Sequence, residues 1–152
     1  MINTFKNKYK NKELLKYILW KLGINKITSL LRRFYLKIYD ILFNILLTLF
    51  KNNSEVYIKI KFFYLKHRKS DIHEHLETLY LYASTCESIF ETGVRGVVSS
   101  WAFVKGLLDN KSNSKILLLN DIDKCDTAEL ENHALNVQIK IDTIWKNNLE
   151  IN

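Results

Sequence analysis

The stretch with the clearest capacity for chemistry is Ser88-Ile-Phe-Glu-Thr-Gly-Val-Arg-Gly-Val-Val-Ser-Ser-Trp101. A short apolar run enters it, two glycines interrupt it, and an apolar helical pattern leaves it. A strand, a tight turn and a helix start in that order present free backbone N–H groups at the positive end of a helix dipole. Such a turn suits an anionic or polar ligand group. Gly93 and Gly96 supply positive φ where it is needed and remove the Cβ where a ligand must approach the backbone. The ligand expected there is a nucleotide-type cofactor. The competing reading is a strand-to-helix turn that uses glycine and binds nothing.

Other reactive types are poorly placed for chemistry. His73 and His75 stand two residues apart in a segment expected to be helical, so they point to different sides, and no third metal ligand follows from spacing. Cys86 and Cys125 are far apart and lack any metal-ligand or redox spacing, as expected of small hydrophobes in a reducing compartment. No residue presents itself as a general base, and the spacing indicates no substrate.

The elements that must position the turn read as β-α-β-α-β. Ser88–Thr92 is the first strand, and Val97–Leu108 is a helix whose inner side carries Val98, Trp101, Ala102 and Leu108. A polar loop, 109–114, leads to the strand Lys115–Asp121. The continuous apolar run of that strand is the pattern of a parallel sheet covered on both faces. Thr127–Val137 is a second helix capped by Asp126, and Ile139–Trp145 a third strand. Strands and helices alternating at this spacing argue for a parallel α/β sheet with right-handed crossovers. Ahead of them, Ser70 is the expected cap of a helix with Asp71 and Glu74 in its first turn and an apolar face at Leu76, Leu79, Tyr80 and Ala83.

Charge divides the chain near Ser70. Residues 1–69 carry sixteen Lys and Arg against Glu13, Asp40 and Glu55, whereas residues 70–152 carry seven against thirteen acids. This asymmetry predicts a basic, mainly helical arm, 1–69, before a globular part, 70–152. In the arm, Leu14, Leu15, Ile18, Leu19 and Leu22 show helical periodicity, Gly23 is a stop, and Thr28 or Ser29 a new start. Across 34–50, the polar Lys37, Asp40, Asn44 and Thr48 share one helix stripe with Arg33. The charges weigh against a membrane span. A helix on a lipid surface, contacting it through residues 30–51, competes with packing on the domain or on a second copy. Residues 56–66 alternate Ile58, Ile60 and Phe62 with Lys59 and Lys61, which predicts a strand with one wet face. Interleaved aromatics and lysines also resemble a single-strand nucleic-acid platform, but a basic edge strand accounts for them more simply. The first apolar run arrives late and has no small-residue cleavage site, so a cytoplasmic location is expected, with membrane association as the variant.

The run Glu91-Thr-Gly-Val-Arg-Gly-Val-Val-Ser-Ser100 resembles the first motif of class I S-adenosylmethionine-dependent methyltransferases, and the flanks Ser70-Asp-Ile-His-Glu-His-Leu76 and the strand ending at Asp121 are similar to theirs. The resemblance implies a partial Rossmann-like sheet over 70–152. It also implies S-adenosylmethionine as cofactor, held by Glu91, Gly93, Arg95, Gly96, Ser99 and Asp121. Glu91 and Gly93 would shape the loop around the methionine end. Asp121, with Asp123 as fallback, would hold the ribose hydroxyls, since a carboxylate accepts from both groups of a diol. The family's three glycines at alternate positions are reduced here to Gly93. Arg95 and Val97 fill the later two, and Gly96 is out of step. The family sheet also has further strands that carry substrate groups, so the expectation is the N-terminal half of the fold, truncated. That leaves two functions open: a methyltransferase-like cofactor binder, or a non-catalytic relative whose exposed third-strand edge is finished by a second copy or a complementing chain.

Overall fold

The computed structural model describes residues 24–145. The periodic leucines between Leu14 and Leu22, and Gly23, lie outside them. The described chain is α/β, with a three-stranded parallel sheet and helices. It divides into two compact units, the division falling between Asn44 and Ile45.

Helix α1, Ile24–Leu49, crosses that division. The expected start at Thr28 or Ser29 is corrected, because the helix already runs through both; neither residue breaks a helix when nothing else competes for its backbone. Along α1, Tyr35, Tyr39 and Phe43 form a ladder at i,i+4 spacing, with ring centroids 6.3 and 4.6 Å apart.

Residues 54–67 correct a larger expectation. They form helix α2, Ser54–His67, not a strand. The Asn53 side chain caps it by accepting from the Val56 amide at 3.1 Å, and Lys59 bonds Glu55 one turn away. Ser54, Tyr57, Ile58, Phe62 and Tyr64 are buried. Burial of the neighbours Tyr57 and Ile58 together breaks a two-residue alternation and is what one face of a helix allows. Ile58 is fully buried in one core with Leu117, Leu119, Trp101 and Leu130, so α2 enters the core that the sheet buries, packing chiefly against the helices that follow it.

After α2, a 3₁₀ turn, His73–His75, leads into α3, Leu76–Ala83. Ser70 does not cap α3. The Nδ1 atom of His73 lies 2.6 Å from the Ser70 carbonyl oxygen, the intervening turn is 3₁₀, and the Ser70 hydroxyl is buried without a hydrogen-bond partner. The expected apolar face of α3 is present: Leu76 and Ala83 are buried, and Leu79 and Tyr80 pack beside them. Gly106 allows α3 to lie close to the following helix. A Cβ at this position would come within 2.4 Å of the Ala83 Cβ and 2.7 Å of the Tyr80 carbonyl oxygen.

The remaining elements are β1 Ser88–Thr92, α4 Val98–Asp109, β2 Ile116–Asp121, α5 Ala128–Asn136 and β3 Lys140–Trp145. The strands lie in the order β1-β2-β3, all parallel, with Glu91 opposite Leu119 and Leu119 opposite Thr143. Thr127, not Asp126, holds the cap position of α5, although the Asp126 carboxylate accepts from the Ala128 amide at 3.2 Å. Within α4, Leu108 is half-buried, and Val104 and Leu107 carry the inner side with Trp101 and Ala102. The two faces of β2 are buried to different degrees, although Asn120, on the same face as Leu118, is itself buried. Leu117 and Leu119 are fully buried against the helices, while on the other face Leu118 is half-buried beside Phe90, which is 58% exposed. The strand expected to be covered on both faces is therefore fully covered on one and partly on the other, with β1's Phe90 the exposed neighbour.

Candidate functional site

The backbone of the glycine turn is the first element of the site. Gly93, Arg95 and Val97 have φ of 77°, 44° and 61°, so three alternate residues are left-handed. A left-handed Arg or Val is strained by roughly 1–2 kcal/mol each relative to glycine, and a β-branched residue there is a genuine outlier. Gly96, although a glycine, is not among these positions. The turn therefore has the alternation the sequence lacks: the conformation is present at 95 and 97 without the glycines that ordinarily permit it. At Gly93 an added Cβ would meet nothing within 4 Å, so the approach to the backbone is open.

Two carboxylates brace this turn from opposite sides. Glu91, near the end of β1, is 6% exposed. Its Oε2 accepts from the Ser100 hydroxyl at 2.6 Å, and its Oε1 accepts from Ser99. Burial pushes the Glu91 carboxyl above its usual range, and the two serine bonds partly offset this. Asp121, at the end of β2, is half-exposed. Its Oδ2 accepts from the Arg95 amide at 3.1 Å and its Oδ1 from the Ile122 amide at 2.7 Å. The Arg95 amide is the largest influence holding Asp121 below the usual carboxylate range, and the amides of Asp123, Ile122 and Val94 add to it. The Gly93 amide is tied to the Asn120 carbonyl at 2.9 Å, which sets the turn directly over the end of β2.

Glu91, Gly93, Arg95, Ser99 and Asp121 thus meet at the carboxyl ends of β1 and β2. This is where parallel α/β sheets place their ligands. The Arg95 side chain, however, turns outward to Asp71 Oδ2 at 3.1 Å, with both groups largely exposed. Asp123 is exposed, and its amide lies 3.4 Å from Asp121 Oδ1. Two contributors were not singled out from the sequence. Ser100 is fully buried on Glu91, and Asp71 is the partner of Arg95. A pair of serines in the first turn of the helix that follows an acidic strand end was the available signal for Ser100. The Asp71 contact spans 24 residues of sequence and left no local trace.

A groove of about 290 Å³ lies beside the turn, between α2, the start of α4 and the start of α5, lined by Lys61, Arg68, Gly96, Trp101, Asp126 and Glu129 among others. Lys61 contacts both Glu129 oxygens at 3.0 Å and sits 5.2 Å from the Trp101 ring centroid. Tyr57 also donates to Glu129, and its phenol is pushed up by burial first and by that bond second. Of the groove's charged groups, Lys61 and Glu129 meet each other, whereas Arg68 donates to the Tyr64 hydroxyl and Asp126 accepts from the Ala128 amide. Among the described residues, no group of three or more His, Cys, Asp or Glu could hold a metal ion, and no helix is long and apolar enough to cross a membrane. Comparison of the chain with family models, with curated proteins and with solved structures gave no match.

Proposed function

We propose that the turn 91–97 and the end of β2 form the binding site of a nucleotide-type cofactor, with S-adenosylmethionine as the ligand the resemblance names. The observation that supports this is the alternation of left-handed residues at Gly93, Arg95 and Val97. Strain of that kind persists where surrounding structure over-determines it, and it clusters at ligand-holding turns. Gly93 would let the methionine end approach the backbone, Glu91 would hold the turn through Ser99 and Ser100, and Gly96 would leave the helix start uncrowded. Asp121 would receive the ribose hydroxyls. The amides of Arg95, Ile122, Asp123 and Val94 already point at this carboxylate, so a diol would bind it by displacing the longest of them, the Asp123 amide at 3.4 Å. When bound, the cofactor would supply an activated methyl group. Methyl transfer depends on aligning an acceptor with it, and no described side chain is assigned that task. The fold that accords with this reading is a partial Rossmann-like sheet.

Calorimetric titration with S-adenosylmethionine tests the reading. Binding that is lost or weakened about tenfold or more in Asp121→Ala is expected, because a ribose site loses its charged acceptor. No heat at millimolar ligand with folded protein refutes it.

A second reading, a non-catalytic interaction module of the same descent, is favoured by the open sheet face at Phe90 and by the engagement of Asp121 with the turn's own amides. Retained folding without any ligand heat would select it.

A further inference from the structure

Helix α1 presents an apolar seam that no other described feature uses. Leu31, Phe34, Ile38, Ile41 and Ile45 follow one another at steps of three, four, three and four, which is the heptad spacing of helices that pack along a common seam. They are 60, 64, 41, 58 and 50% exposed. On one flank lie Tyr35, Leu42 and Leu49, equally exposed, and on the other the exposed Leu30 followed, along the length of the seam, by Lys37 and Asn44. Leu47, on a different side of the helix, is the α1 residue buried in the core with Tyr57 and Ile58.

We infer that this seam is the interface with a second copy of the chain, and that the two α1 helices run antiparallel. The area is sufficient. Eight half-exposed side chains of this size present on the order of 800 Å², the amount each partner contributes to a standard interface. Direction follows from the unequal flanks. In an antiparallel pair like flanks meet, so with Ile38 opposite Ile41 of the second copy, Lys37 approaches Asn44 of that copy and Tyr35 approaches Leu42. In a parallel pair the Lys37 ammonium would instead be pressed against Leu42, a desolvated charge on an apolar edge. Antiparallel packing stacks the layers Phe34–Ile45, Ile38–Ile41 and their symmetry equivalents, and the contact is self-complementary about a two-fold axis.

Sedimentation of the full chain over the micromolar range tests this. A concentration-dependent dimer is expected. Ile38→Glu and Ile41→Lys should each weaken it about tenfold or more, as a buried unpaired charge does, while circular dichroism stays unchanged because both side chains are exposed in the single chain. Mixing the two variants should restore dimer, since only the antiparallel arrangement sets the new carboxylate at position 38 of one copy against the new ammonium at position 41 of the other. A monomer throughout, a dimer insensitive to both variants, or mixed variants that fail to associate would each overturn the proposal. So would a monomer that floats with anionic vesicles, which would assign the seam to a lipid surface.

Discussion

The Arg95 amide donates to Asp121 Oδ2 at 3.1 Å across 26 residues of sequence. This bond ties the tip of the left-handed turn to the end of the neighbouring strand. It explains how Arg95 is held at a φ of 44° without a glycine: the carboxylate accepts an amide that a relaxed turn would aim elsewhere.

Asp121→Ala should therefore loosen the turn while leaving the sheet intact. Amide hydrogen exchange at Val94 and Arg95 is expected to accelerate in the variant, with Leu117 and Leu119 unchanged. The native carboxyl is held below its ordinary value of 3.8, so the unfolded chain binds the proton more readily. The contribution is present above that value and is lost as pH falls through the lower folded one. Exchange in the wild type should approach that of the variant only in strong acid.

Glu91 has the opposite sign. Its folded pKa is raised above 4.5, so the folded chain binds the proton more readily than the unfolded chain. Its contribution to stability is greatest below 4.5 and declines as pH rises toward the raised value. Glu91→Gln, which keeps an acceptor for the serines, should flatten this slope in urea unfolding and be no less stable than wild type at neutral pH. Glu91→Ala leaves the buried Ser100 hydroxyl without its acceptor, and should cost about 1–3 kcal/mol.

His133 supplies a second pH dependence, away from the turn. Its ring stacks on Tyr57 with centroids 3.8 Å apart and planes 10° from parallel. The Ser54 hydroxyl, which accepts from Asn136 at 3.1 Å, faces Nδ1 at 3.0 Å. That arrangement suits a neutral ring with Nδ1 as acceptor, and burial, the largest influence, holds the pKa below 6.5. The unfolded chain takes up a proton that the folded chain refuses, so stability should fall as pH drops through 6.5 toward the lower folded value. Thermal unfolding between about pH 7.5 and 5 checks this, and His133→Gln should weaken the dependence.

Gly93→Ala and Gly106→Ala should both destabilise, for different reasons. At Gly93 there is space, and only the φ of 77° is unfavourable, so the cost is about 1–2 kcal/mol. At Gly106 the new methyl meets the backbone of α3 at 2.7 and 2.8 Å, so α3 and α4 must separate. That overpacking costs about 1–3 kcal/mol or more. Denaturant midpoints at equal m-value separate the two, and if the turn holds the proposed cofactor, the folded Gly106 variant should bind it as the wild type does.

The sequence by itself determined β1, the turn, β2, α5 and β3, because apolar runs of strand length were bounded by glycines and polar loops. It also indicated that Glu91 and Asp121 stand at strand ends, since each closes such a run. Tertiary structure decided three things that local pattern could not. Residues 56–66 read as an alternating strand, yet the neighbours Tyr57 and Ile58 are both buried and Lys61 reaches Glu129 across 68 residues, contacts that a helix brings to one face. The composition of 93–97 argued against alternating left-handed residues, yet Arg95 adopts that conformation with its amide on Asp121, and Val97 with its side chain packed in the core. Whether β2 is covered on both faces was not contained in its apolar run either. Such a run states how much surface must be buried, while the side that receives cover depends on where the crossing helices come to lie, and here they lie over Leu117 and Leu119, leaving Phe90 exposed.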